Sequence, residues 1–387
     1  MTSFSARRHF LPVALSAALL WLAPRVARAD GSLSYKYADY READGRIKVE
    51  TNGVLAEQDL GPDTQVKVQG IIDAIAGATP TGQPAPAGSD QVPLAEISDR
   101  RKAWSADLLH QFHQVNVDVG FADSRESDYT SVGWSVNTLT DFNRKNTTLL
   151  FGLAGTDDDV KVTYQKPWVK KRTNDLIVGV TQLLDPKTSL SVDLTWGHAR
   201  GYLNDPYKEV QKTIQVNPGD FLPLDFLENR PGQRTKFIAA ATFNHAFPEA
   251  SGAIEAIYRY YHDTFDTNAN TLEVSWLQRL GKQFLLKPTF RFYTQTAASF
   301  YYYNLDQTTI TPPFGLPPAD GPFYSSDYRL SHFDATTYGV KLVWTPTARV
   351  QCDVEYDRYE MRGRDGVTSQ SAYPRAGIVT AGIRLSW

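Results

Sequence analysis

Ile378-Val379-Thr380-Ala381-Gly382-Ile383-Arg384-Leu385-Ser386-Trp387 alternates along its whole length and stops on an aromatic. Val379, Ala381, Ile383, Leu385 and Trp387 share one face of an extended chain, and Thr380, Gly382, Arg384 and Ser386 share the other. That is the period of two that a β-strand imposes. About ten residues of tilted strand cross a bilayer, so the stretch predicts the closing strand of a membrane-spanning barrel. A half-buried strand of a soluble sandwich alternates in the same way. The decision therefore rests on whether the pattern recurs and how its copies are joined.

Sixteen segments carry it, at 33–41, 46–58, 65–74, 103–111, 114–125, 131–140, 147–156, 174–183, 189–200, 234–246, 252–262, 270–279, 283–296, 333–345, 349–361 and 378–387. Their connections are alternately short and long. The short ones hold turn formers, as in Leu60-Gly61-Pro62-Asp63-Thr64, Asp185-Pro186-Lys187, Leu280-Gly281-Lys282 and Pro346-Thr347, where proline fixes φ and small or polar neighbours tolerate a reversal. Among the long ones are a Pro-, Gly- and Ala-rich run up to residue 102, an acidic loop at Asp157-Asp158-Asp159, the run 201–233 and a Tyr- and Pro-rich stretch in which 300–303 reads equally as strand extension, loop or separate strand. A sandwich has no reason to keep every second connection short, whereas a barrel has one periplasmic and one external rim. The expected fold is all-β: a transmembrane antiparallel up-and-down β-barrel of about 16 strands over residues 30–387, with short periplasmic turns, long extracellular loops and both ends in the periplasm.

The two faces of single segments differ as lipid and water require. Val115, Val117, Val119 and Phe121 alternate with Asn116 and Asp118, and Val350, Cys352, Val354 and Tyr356 alternate with Gln351, Asp353, Glu355 and Asp357. A charge at the bilayer midplane costs up to about 2–4 kcal/mol, so the carboxylates belong in a wet lumen and Cys352 on the lipid side. Trp104, Trp134, Trp196, Trp276, Trp344 and Trp387 near segment ends suit interfacial girdles. Lys48, Glu50, Lys67, Glu255, Arg259, Lys287, Arg291, Lys341, Asp353 and Glu355 are the expected lumen-lining set. With both signs present, they read as cross-lumen ion pairs bracing the wall or as the lining of a weakly selective channel.

The N-terminus carries Arg7 and Arg8, an apolar run from Leu11 to Ala23 and Ala27-Arg28-Ala29, the layout of a cleavable signal peptide over residues 1–29. No later run is long and apolar enough for a transmembrane helix, and only a closed barrel satisfies the backbone of strands in lipid. Aromatics make up 12% of the chain, and one cysteine excludes an internal disulfide framework. Four of the 40 basic residues precede residue 30 and none of the 43 acidic ones does. The mature chain is thus acidic, and no nucleic-acid partner is expected.

Little points to catalysis. His110 and His113 offer two imidazoles whose spacing across a strand end turns them apart, with no third ligand in view. Asp157-Asp158-Asp159 lacks the alternating spacing and glycine of a calcium loop. No nucleophile elbow, zinc-protease motif, phosphate loop or paired-cysteine motif occurs. No catalytic, cofactor-binding or metal-binding set is expected.

Glu57-Gln58-Asp59-Leu60-Gly61-Pro62-Asp63-Thr64, continuing through Lys67-Val68-Gln69-Gly70 to Asp73-Ala74-Ile75-Ala76-Gly77-Ala78-Thr79-Pro80-Thr81-Gly82, resembles a family of Gram-negative outer-membrane barrels catalogued as domain of unknown function 3570. Glu126-Ser127-Asp128-Tyr129 and Lys145-Asn146-Thr147-Thr148-Leu149 resemble its later signatures. The resemblance covers nearly the whole mature chain and carries over no catalytic residue. It implies an outer-membrane setting with a redox flavour to the envelope neighbourhood. The first expectation is accordingly a porin-like channel or transporter for small polar solutes. Its rival is a non-conducting scaffold for a periplasmic, redox-related complex. Expected partners are outer-membrane lipid, the barrel-assembly machinery during biogenesis and, for the scaffold, a periplasmic envelope protein.

Overall fold

The computed structural model describes residues 30–162 and 168–387, so the signal-peptide expectation lies outside the described residues. All sixteen expected segments are strands. In chain order the strands are β1 (Gly31–Glu42), β2 (Lys48–Asp59), β3 (Thr64–Pro80), β4 (Leu94–Phe112), β5 (Val115–Arg125), β6 (Tyr129–Phe142), β7 (Thr147–Val160), β8 (Val169–Asp185), β9 (Thr188–Gly201), β10 (Glu209–Asn217), β11 (Asp220–Leu227), β12 (Gln233–Phe247), β13 (Gly252–Asp263), β14 (Asn268–Leu280), β15 (Phe284–Gln295), β16 (Phe333–Thr347), β17 (Val350–Gly363) and β18 (Arg375–Ser386). Sixteen of them close into an antiparallel barrel, while β10 and β11 form a separate hairpin and β12 pairs directly with β9. β18 closes the barrel on β1, in register from Ser32 opposite Ser386 to Glu42 opposite Ala376. Closure leaves no strand edge for lipid to strand without hydrogen bonds.

Apolar side chains cover the outside with nothing packed on them: Val119, Phe121, Leu194, Tyr338, Val354, Tyr356, Ile383 and Leu385 are all exposed. A continuous apolar belt of this kind is at home only in a bilayer. Trp104, Trp134 and Trp196 point out at half height, each eight residues from the short-turn end of its own strand, and Trp344 and Trp387 stand near that end. Trp276 differs, being half-buried against Phe247 with ring centroids 5.5 Å apart.

Several strands run well past the girdle on the long-loop side. β3 and β4 stay paired from Thr64 opposite His110 up to Pro80 opposite Leu94, so the first large loop is 81–93 and not a run reaching residue 102. Above Trp104 the outer positions of β4 are Glu96, Ser98, Arg100 and Lys102; both faces there meet water, and the apolar alternation that marks a strand disappears. The acidic loop is corrected for the same reason. Asp157, Asp158 and Asp159 belong to β7, with Asp157 and Asp159 paired outside to Arg172 and Lys170, and Asp158 paired inside to Lys171.

The buried apolar core lies in the outer mouth of the barrel. Four connections, 81–93, 202–232, 296–332 and 364–374, fold over the opening as a cap. Val92, Tyr328, Ala372 and Tyr373 pack on the inward Phe333, Ala335 and Met361 of β16 and β17. A second cluster joins Phe265, Ala298, Phe300 and Leu330, and a third joins Val210, Leu305 and Tyr324. Backbone bonds sew the loops together: Asn229 and Tyr324 exchange N–H···O bonds of 2.9 and 2.8 Å, and Glu209 N donates to Thr81 O at 2.9 Å. Gly82 sits at this junction with φ +105, where a Cβ would meet Glu209 O at 2.6 Å and Ser326 Oγ at 2.7 Å. The 300–303 stretch is therefore cap, with Phe300 buried beside Phe265.

Candidate functional site: a charged lumen beneath a cap

Side chains opposite in parity to the apolar belt enter the lumen. Lys67, Glu255, Arg259, Lys287, Arg291, Lys341, Asp353 and Glu355 are among them, and most meet a partner. Lys287 Nζ lies 3.0 Å from Glu255 and Arg291 3.9 Å from Glu273. Lys341 reaches both Asp353 and Glu355 at 3.4 Å, and Lys36 approaches Asp353 from across the closing seam at 3.6 Å. Near the periplasmic end Glu57 binds Lys67 and Arg384.

Lys48 and Glu50 are a correction. They share parity with the exposed Val54 and pair with each other on the outer surface, opposite Arg41 and Asp39. The even positions of β2 become polar above the belt, so alternation alone assigned them to the wrong side. Asp118 and Asp193 face the lumen, the side their alternation assigns them, and so do Asp107, Asp175 and Lys236, which were not singled out from the sequence. For Asp107 and Lys236 the signal was available in the exposed apolar neighbours Leu108 and Phe237, whereas Asp175 stands between Asn174 and Leu176 and carries a weaker one.

The cap is locked by buried ions. Asp327, 1% exposed, accepts from Arg230 Nη2 at 2.8 Å and from Arg329 Nη2 at 2.6 Å. Arg230 also pairs with Glu228 at 2.7 Å, Ser325 Oγ donates to Glu228 at 2.6 Å, and Arg329 reaches Asp205. One cluster thus ties the 202–232 loop to the 296–332 loop. Burial opposes ionisation of Asp327, but the Arg329 and Arg230 guanidiniums outweigh it and hold that carboxyl well below the usual range. For Glu228 burial dominates, reinforced by Asp327 against the pull of Arg230, and its carboxyl is pushed up to about 7.

This gives the cap a pH dependence of definite sign. An acid whose folded-state pKa lies above its unfolded value adds stability that is complete below the unfolded pKa, about 4.5, and lost as pH rises through about 7. The cap loops are expected to resist limited proteolysis better at pH 5.5 than at pH 8. Glu228→Gln, which carries no titrating proton, is expected to flatten that difference.

Between the cap and one side of the wall lies a cavity of about 740 Å³, bounded by Tyr129, Thr173, Ala199 and Lys236 of the barrel and by Tyr202 and Asp205 of the cap. Glu126 and Asp128 stand at its edge. With Asp99 they form the group of three carboxylates among the described residues whose oxygens converge within 4.8 Å. Two of these are already engaged, Asp99 by Ser127 Oγ at 3.0 Å and Asp128 by Tyr207 Oη at 2.5 Å. His110 bonds Thr64 Oγ1 at 2.8 Å and meets Phe112 edge-to-face, and His113 lies in the turn with φ +50. Cys352 shares the outward parity of Val354 and Tyr356.

A family model described as Protein of unknown function (DUF3570) matches residues 9–170 and 162–373. The chain belongs to the DUF3570 family. No curated protein matches it in sequence. Among solved structures, this DUF3570 barrel is similar to the siderophore receptor PirA from Pseudomonas aeruginosa, at 10% identity and TM-score 0.43 over 92% of this chain and 61% of that one. It is also similar to a loop-deleted OmpT, an outer membrane protein of Vibrio cholerae, at 9% identity and TM-score 0.42 over 93% and 99%. A bacterial polysaccharide outer membrane secretin aligns at 8% identity and TM-score 0.48 over 93% and 98%. The chain spans less than two thirds of PirA. Its own closed sheet and apolar belt make this DUF3570 member an outer-membrane β-barrel.

Proposed function

We propose that this barrel is a channel or transporter for small polar solutes, closed on the outside by its cap. The observation that supports this best is the contrast between lumen and mouth. Charged residues of both signs line the wall at full membrane depth, which is tolerable only in water, while buried apolar and ionic contacts shut the external opening. Barrels of sixteen strands are wide enough to hold an aqueous channel. A purely structural wall needs no separate closure, and a cap stitched from four loops is an economical one.

Liposome swelling tests the proposal. Refolded protein is expected to admit small polar solutes slowly, and protein lacking residues 81–93 and 300–330 is expected to admit them quickly. A folded, cap-less barrel that admits none would instead favour the scaffold for a periplasmic partner.

A further inference from the structure

The lumen is not the same all round. On β13–β17 and β1 it is filled by long, mutually paired side chains: Glu255 with Lys287, Glu273 with Arg291, and Lys341 with Asp353 and Glu355. The cap sits down on this same side, burying Phe333, Ala335, Met361 and Ala376. On β5–β9 the inward residues at mid-height include Gly120, Ser135, Gly152, Ala154, Gly179 and Gly197, with Asn137, Leu150 and Ile177 as the longer side chains among them. Asp107 and Asp193 lie flat across from Gly120 and Gly179, so close that a Cβ on either glycine would collide with the carboxylate. The cavity of about 740 Å³ lies directly above this side, between the wall and the cap.

Charge is divided in the same way. Asp107, Asp118 and Asp193 on β4, β5 and β9 have no hydrogen bond or ion pair among the described residues, and Asp118 Oδ1 is buried without a donor. Every inward lysine or arginine on that side is already paired: Lys171 with Asp158, Lys236 with Asp175 and Arg101 with Asp73. Among the described residues the filled side leaves Arg259, Asp357 and, near the periplasmic rim, Arg279 without an ion pair. Unbalanced negative charge therefore lies along one wall, from Glu126 and Asp128 at the outer edge down to Asp107. In a narrow, low-dielectric passage such a wall concentrates cations and excludes anions.

We infer that solute passes off the barrel axis, along the β5–β9 wall beneath the cavity, and that the passage prefers cations and cationic solutes. This rests on the channel reading proposed above, and the test separates the two. The same charge is placed on each wall of the full-length mature chain, as Ser135→Lys on β6 and Thr337→Lys on β16, and reversal potentials are read in a planar bilayer across a tenfold KCl gradient. The unchanged protein is expected to be cation-selective. Ser135→Lys is expected to abolish or reverse that preference and cut conductance severalfold, and Thr337→Lys to alter both much less.

Equal effects of the two substitutions, or a conducting barrel with no cation preference, would overturn the off-axis cationic route and leave the channel standing. No conductance with or without the cap would overturn both. If Ser135→Lys does not fold, Ser135→Cys on a Cys352→Ser background, treated after refolding with a cationic thiosulfonate, places the charge in a barrel already formed, and the same expectations apply.

Discussion

Asp327→Asn is expected to open the cap. The substitution keeps the shape of the side chain but leaves the Arg230 and Arg329 guanidiniums facing a neutral amide in a site closed to water. Removing one partner of a buried ion pair costs about 3–5 kcal/mol, and each ~1.4 kcal/mol is a factor of ten in a population. The open cap should therefore gain about two to three and a half orders of magnitude in occupancy. Limited proteolysis should cut the 202–232 and 296–332 loops far faster, while the heat-dependent gel mobility of the closed barrel stays as it was, because no strand pairing passes through Asp327. A cap as protected as before would show that the apolar clusters around Phe265 and Tyr328 hold it without the ions.

The second large effect concerns the wall. Leu194 on β9 points into the apolar belt two residues below Trp196. Leu194→Arg should destabilise the barrel in liposomes by about 2–4 kcal/mol, read as a lower urea midpoint. Thr195→Arg, one residue on and facing the lumen, should cost much less, since its guanidinium stays in water beside Asp193 and Asp175. Similar costs at both positions would contradict the assignment of inside and outside.

Much of this architecture is written locally. Period-two alternation at Val350–Tyr356 and Leu190–Trp196 names both strand and face, and Pro62, Pro186 and Pro346 mark the short rim. Legibility fails where the solvent changes. Above Trp104 the outer surface is wet, so Arg100 and Lys102 look like loop, and the outward Lys48 and Glu50 look like lumen. The β10–β11 hairpin hid within a long loop because its partners and its apolar contacts, Val210 on Leu305 and Tyr324, come from elsewhere in the chain. The cap was illegible for the same reason. The Glu228–Arg230 pair lies at least 97 residues from Asp327 and Arg329 in sequence, and each alone reads as an ordinary loop charge. Gly82 did stand within a conspicuous motif, but its role depends on Glu209 and Ser326, which no local pattern announces.

Single-channel recording on the refolded mature chain, compared with Asp327→Asn in the same bilayer, tests the central claim most directly. A water-filled barrel closed by an ion-locked cap predicts brief, infrequent conductance steps from the unchanged protein and long openings of the same unitary size from the variant. Silence from both, in protein whose gel mobility shows a formed barrel and whose cap loops are cut by protease, would contradict it and identify the barrel as a closed scaffold.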